Sequence, residues 1–244
     1  MSEYTFGDDR SALERLRLVA GAYEPISRAF LAAHAPRSAP VALDLGCGPA
    51  LSTQLLMEVC NPITLIGIDS SPEFVQIARQ RLPQVHFEAL DVTTNHLPGA
   101  PAGLIYARLL LAHLRDPMAV VQSWLRQLRP GGTLLVEDLE DVIDPPGPLR
   151  RYEEVSTQIV RSGGGSMYAG ALLADLGGET KQVTVSGTLA AQIYLFNVRR
   201  WLCDPSLPVN NEHLRELERG LVRVRDDDHG TTVTWVARQL SIHM

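Results

Sequence analysis

The spacing of apolar positions changes several times along the 244 residues, and each change marks an element. A 3.6-residue rhythm opens the chain. Ser11 and Glu14 have the spacing of a capping box, in which the serine accepts from a first-turn amide and the acid reaches back. The helix they start is expected to run to about Tyr23, to be interrupted at Pro25, and to be followed by a second helix to about His34. "HAPRSAP", residues 34–40, reads as a linker. Strand and helix periods then alternate. "VALDL" is a buried strand, "LSTQLLMEVC" a helix and "ITLIGID" a second strand. "SPEFVQIARQRL" is a helix with Ser71 as cap and Pro72 in its first position. "VHFEAL" and "GLIYARL" are the third and fourth strands. A helix from Asp116-Pro117 is expected to end at Pro130-Gly131-Gly132, ahead of a fifth strand, "TLLVEDL".

This alternation predicts an α/β fold, doubly wound around a parallel sheet with right-handed crossovers. Beyond Glu140 the pattern loosens: a helix over 149–161, a flexible "RSGGGS" loop in which Gly163 to Gly165 are hinge candidates, and a short helix in "YAGALLADLGG". Helices over 190–203 and 210–221 fall between two strands, "KQVTVSG" and "TTVTWVARQL", where they can lie over the sheet edge as a lid; "DDDHG" is a turn. The expected organisation is a single domain: an N-terminal helical cap (1–38), a cofactor-binding core (39–140), a variable substrate and lid region with the sixth strand (141–229), and a last strand (230–244).

Charge narrows the partners. With 22 Lys and Arg against 28 Asp and Glu, the chain has no polycationic footprint for nucleic acid. Lys181 is the only lysine, which rules out a Schiff base anywhere else. Cys47, Cys60 and Cys203 give neither a disulfide framework nor zinc-ligand spacing, so no metal is expected. No apolar stretch is long enough to span a bilayer, and a cytoplasmic protein with no membrane partner is the expectation.

The richest stretch is "VALDLGCGPA", residues 41–50. In an open parallel sheet, ligand binds outside the carboxyl ends of the strands, and the first strand-to-helix turn lies there. Gly46 and Gly48, with Cys47 between them, let backbone approach a ligand closely. A dinucleotide would place its pyrophosphate here, where Asp44 would repel it. S-adenosylmethionine instead brings an ammonium for Asp44 and a carboxylate for the amides around Gly46 and Leu51 to Thr53. Asp69 ends the second strand about 20 residues further on, where a carboxylate can take both ribose hydroxyls. Asp91 follows the third strand and can accept from the adenine amine, with the Val92 amide donating to the ring and Ser70 and Leu90 flanking it.

"LDLGCGPA", "GIDSS", "ALDV", "ARLLLAHLRDP" and "LRPGGTLLVED" together resemble the class I S-adenosylmethionine-dependent methyltransferases of small-molecule type, over roughly residues 1–140. The resemblance implies a seven-stranded sheet, mostly parallel with the last strand antiparallel, and methyl transfer to an O, N or C atom of a small acceptor, in specialised metabolism, with S-adenosylhomocysteine as product. Two positions depart from the family's habit: Ala50, where glycine is frequent, and Gly103, where an acid is frequent.

Methyl transfer is an in-line displacement that needs positioning and, for a protonated acceptor, a base. The resemblance places His113 beside the methyl donor as candidate base; packing or helix capping is its other reading. Glu137 and Asp138 end the fifth strand, and alternation allows only one of them to face the acceptor. Glu137 is the candidate. Arg108 can approach the cofactor carboxylate. Tyr4, Phe6, Tyr23 and Tyr168, with Phe30, are candidate walls of the acceptor site. A nicotinamide-dependent reductase would want a fuller glycine fingerprint and a Tyr-x-x-x-Lys pair, which the single lysine excludes. A cyclase or binding protein that holds the cofactor without consuming it has the same pocket signature. A homodimer is an open option.

Overall fold

The computed structural model describes residues 10–227 and 230–244. Helix α1 (Arg10–His34) is followed by β1 (Val41–Leu45), α2 (Leu51–Cys60), β2 (Thr64–Asp69), α3 (Pro72–Arg81), β3 (His86–Ala89) and β4 (Ala102–Arg108). Then come a 3-10 turn at Leu111–His113, α4 (Pro117–Leu125), β5 (Leu128–Ile143), α5 (Gly147–Ser162) and a 3-10 stretch at Ala169–Leu176. Strand β6 (Glu179–Ser186), α6 (Gly187–Leu202), α7 (Asn211–Asp226) and β7 (Thr232–His243) complete the chain.

The seven strands lie in the order β3-β2-β1-β4-β5-β7-β6. Strands β1 to β5 pair in parallel, and β7 runs antiparallel to both β5 and β6. Strand order reverses between β1 and β4, so their carboxyl ends flank the crevice of an open sheet. Two of the expected caps are present: Ser71 accepts from the Phe74 amide at 3.1 Å, and Asp116 from the Ala119 amide at 3.0 Å, while the Ser11 side chain lies outside the described residues.

Two boundaries differ from expectation. Pro25 does not divide the N-terminal helix, because the buried Tyr23, Ser27, Phe30 and Leu31 on both sides of it hold α1 against the rest of the fold. That packing offsets the cost of about 3 kcal/mol for an interior proline. Helix α4 stops at Leu125, well short of Pro130, because the next residues are already tied to the sheet. The Gln127 carbonyl accepts from the Ala102 amide at 2.9 Å, and Leu128 pairs with Ala102. "RPGG" is then absorbed as an irregularity of β5, which also extends past the expected strand to pair with β7.

Helices α6 and α7 do fall between the last two strands. They form, with α1, α5, β6 and β7, an apolar cluster around Tyr152, Tyr194, Trp201 and Trp235. Among the described residues no helix is long and apolar enough to cross a membrane.

Candidate active site

The turn after β1 is held by its neighbours. Gly46 and Gly48 take positive φ of 65° and 52°, and the Cys47 amide donates to the Ile68 carbonyl at 3.0 Å. Asp69 closes the loop from β2: one oxygen accepts from the Gly48 amide at 2.8 Å and the other from the Ser71 amide at 2.9 Å. Ala50 also sits in the left-handed region, at φ 65°, which explains why glycine suits this position in the family.

A cavity of about 970 Å³ opens over this turn. Gly46, Cys47, Gly48, Asp69, Ser70, Asp91, Val92, Arg108 and His113 all line it. Asp91 is exposed and also holds its own turn, accepting from the Thr93 amide at 2.9 Å. Val92 is buried, its carbonyl taking the Trp124 indole proton at 2.9 Å. Arg108, half-buried, donates to Ser27 Oγ at 3.4 Å.

Asp44 is placed differently from the simple expectation. It is fully buried and absent from the wall, one step behind Ser52, which is on it. Its Oδ2 accepts from Ser52 Oγ at 2.8 Å and Thr53 Oγ1 at 2.6 Å, while Oδ1 has no partner. Burial pushes its pKa up to about 6, against the pull of the two hydroxyls and of Arg108. A buried carboxylate with one unspent oxygen is a site short of a cation.

A second chamber, about 140 Å³, lies beyond the first. The two share one wall, made of Leu16, Val19, Leu109, Ala112 and His113. Leu109 takes φ 53°, a strained conformation for leucine, fixed by its amide donating to the Glu137 carbonyl at 2.7 Å. Burial, followed by the charge of Arg15, holds the His113 pKa down at about 4, so its imidazole is neutral at pH 7. The turn carrying His113 is clamped by "RSGGGS": the Ser166 amide donates to the Ala112 carbonyl at 3.1 Å. A Cβ on Gly165 would lie 2.1 Å from that same carbonyl oxygen. Gly165 is therefore a close-packed support, while Gly163 and Gly164 beside it are exposed.

Tyr23 lines the inner chamber, stacked on Trp235 with ring centroids 5.9 Å apart. Three other candidates fall elsewhere. Glu137 is on neither wall; it is fully buried in a polar network with Tyr106, Gln239 (2.6 Å) and Ser27 (3.2 Å). The alternation of β5 turns Asp138 to the chamber instead, its oxygens accepting from the amides of Leu111 at 2.8 Å and Leu139 at 3.0 Å. Tyr168 stands behind the chamber wall and donates to Glu153 Oε2 at 3.3 Å. Phe30 packs in the core beside Leu31 and Tyr106. Tyr4 and Phe6 lie outside the described residues.

Chamber residues not foreseen include Tyr152, Glu153, Tyr194 and Asn197. Their signal was present. Glu153 falls on the apolar stripe Leu149–Tyr152–Ser156–Val160 of α5, and Asn197 on the stripe Ala190–Tyr194–Trp201 of α6. Polar groups on a buried face need a partner or a ligand.

Comparison with known proteins fits this geometry. Residues 43–136 match a family described as "Methyltransferase domain". The trans-aconitate 2-methyltransferase of Azoarcus sp. (strain BH72) is 32% identical over 200 residues, covering 81% of this chain and 67% of that protein. The trans-aconitate 2-methyltransferase of Methylobacterium nodulans is 37% identical over 124 residues, a match spanning 50% of this chain and 48% of that protein, about half of its length. Among solved structures, an S-adenosylmethionine-dependent methyltransferase from Thiobacillus denitrificans shares the fold, with a TM-score of 0.53 at 16% identity over 90% of this chain and 92% of that one. The chain belongs to the class I S-adenosylmethionine-dependent methyltransferases.

Proposed function

We propose that the chain transfers a methyl group from S-adenosylmethionine in the outer cavity to a small molecule seated in the inner chamber. The observation that carries this reading is the single wall the two cavities share, with His113 on it. The residues present fit the cofactor: an unpartnered buried carboxylate oxygen on Asp44, a glycine turn open to close approach, and an acid, Asp69, on the cavity wall. Asp44 would face the ammonium, Asp69 the ribose hydroxyls, Asp91 and Val92 the adenine, and Arg108 the carboxylate. When bound, S-adenosylmethionine supplies an electrophilic methyl on a sulfonium.

The protein's part is positioning and proton handling. Leu16, Val19 and Leu109 form the apolar passage between the cavities and exclude water from it. His113, neutral at working pH, accepts the acceptor's proton. Glu137 has the different task of tying α1, β4, β5 and β7 together beneath the site.

The Azoarcus and Methylobacterium relatives carry trans-aconitate in their names, which makes that molecule the first acceptor to assay. Incubation with methyl-labelled cofactor, trans-aconitate and a panel of small amines and phenols tests the reading. Label moving to any acceptor supports it. Label that stays on tightly bound cofactor throughout the panel overturns it, in favour of a protein that holds the cofactor without consuming it.

A further inference from the structure

The inner chamber has a chemistry of its own. Its volume, about 140 Å³, is close to that of engineered cavities that accept a benzene ring. Aromatic side chains line it: Tyr152 and Tyr194 are stacked with centroids 3.7 Å apart, and Tyr23 stacks on Trp235. One chain of its hydrogen bonds runs toward an acid, Glu153. The Trp235 indole donates to the Tyr194 hydroxyl at 3.0 Å, and Tyr194 donates in turn to Glu153 Oε1 at 2.5 Å. Tyr168 supplies Glu153 Oε2 from behind. Asn197 spends its amide donor on the Tyr152 hydroxyl, and its Oδ1, buried, has no partner.

Among the described residues, the chamber wall is therefore richer in acids and acceptors than in cations. Glu153 and Asp138 are both buried on its wall, against one fixed cation, Arg15. A carboxylate ligand would bring acceptors to acceptors and anion to anions. An ammonium, with three donors and no acceptor, meets Glu153 and Asn197 Oδ1, and the aromatic side chains suit an apolar body attached to it.

Resting on the methyltransferase reading above, we infer that the acceptor is a small amine with an aromatic or apolar body, held as a cation by Glu153 among the aromatic side chains of the inner chamber. The raised pKa of Glu153, about 7 through burial, accords with a carboxylate that lacks its cation in the free protein. The balance is simple. The ammonium loses one proton, its freed lone pair forms the C–N bond as the methyl–sulfur bond breaks with its pair going to sulfur, and the products are a methylated ammonium, S-adenosylhomocysteine and one proton passed through His113 to solvent.

Binding is tested apart from turnover. The full chain, saturated with S-adenosylhomocysteine, is titrated with 2-phenylethylamine and with phenylacetate while the tryptophan fluorescence is followed. The amine is expected to bind about 30-fold more tightly, the size of effect seen when a buried charge gains or loses its partner. Glu153→Gln should remove that preference and leave affinity for S-adenosylhomocysteine within about threefold, which also certifies its fold. Phenylacetate binding as tightly as the amine, or an unchanged amine affinity in a folded Glu153→Gln variant, would overturn the inference. Should that variant not fold, the wild-type ratio alone decides. Amine bound without label transfer counts against the methyl-transfer reading only. Label passed to trans-aconitate or phenylacetate but never to amines counts against the amine only.

Discussion

Asp44→Asn separates a carboxylate kept for a ligand from one kept for the fold. In the free protein, burial raises the pKa from 3.8 to about 6, so ionisation at pH 7.5 costs the native state about 3 kcal/mol. The sign is fixed by the direction: the group favours the native state fully below pH 4, and that contribution is lost as pH rises through 6. An asparagine removes the penalty but weakens the two hydroxyl bonds from Ser52 and Thr53, by about 1 kcal/mol each. The variant should therefore match or exceed the wild type in unfolding free energy by about 1 kcal/mol. Its affinity for S-adenosylhomocysteine should fall about 100-fold, because the buried ammonium loses its charge partner. Urea denaturation at pH 7.5 reads the first quantity, and titration calorimetry the second. A folded variant that binds within threefold of wild type, or one destabilised by more than about 3 kcal/mol, would show that Asp44 serves the fold by holding the Ser52 and Thr53 hydroxyls.

Other substitutions probe other parts of the site. His113→Ala should lower turnover by about 10²-fold or more while S-adenosylhomocysteine affinity changes little; equal turnover removes His113 from the chemistry. Glu137→Gln should lose stability, measured by thermal melting, yet keep turnover within a few-fold, since its partners are structural; a collapse of turnover in a folded variant would return Glu137 to the reaction. Gly165→Ala forces a Cβ against the Ala112 carbonyl and should lower both melting temperature and turnover by displacing the His113 turn, whereas an unperturbed variant would show that the clamp is loose. Burial lifts both Asp138 and Glu153 to about 7, so with Asp44 they make the free protein less stable as pH rises from about 4 to 7. His113, lowered to about 4, acts oppositely, losing its contribution as pH falls below 6.5. Melting curves of Glu153→Gln across that range should decline less steeply than wild type; identical slopes would contradict the buried-acid account.

The lining of the outer cavity was legible because its requirements are local. A positive-φ turn needs glycines, and an acid at a strand end needs no distant residue to place it, so Gly46, Gly48, Asp69 and Asp91 stand where their spacing put them. The inner chamber was much less legible, because it is assembled from α1, α5, α6 and β7, which meet only in three dimensions. Alternation said that Glu137 and Asp138 face opposite sides, but not which side holds the chamber. Aromatic residues mark a buried face without saying whether it is core, as at Phe30, or wall, as at Tyr23. Pro25 misled for a related reason: a local penalty of a few kcal/mol is outweighed by packing that the local sequence does not display. Glu153 was the readable clue, an acid inside an apolar stripe.

The central claim is that the acids around the glycine turn favour an aminoacyl nucleoside over a diphosphate. Titration calorimetry of the wild-type protein at pH 7.5, with S-adenosylhomocysteine and with NADH, tests it most directly. Saturable one-site heat with the first and none with the second is the predicted result; heat from NADH alone would contradict the account.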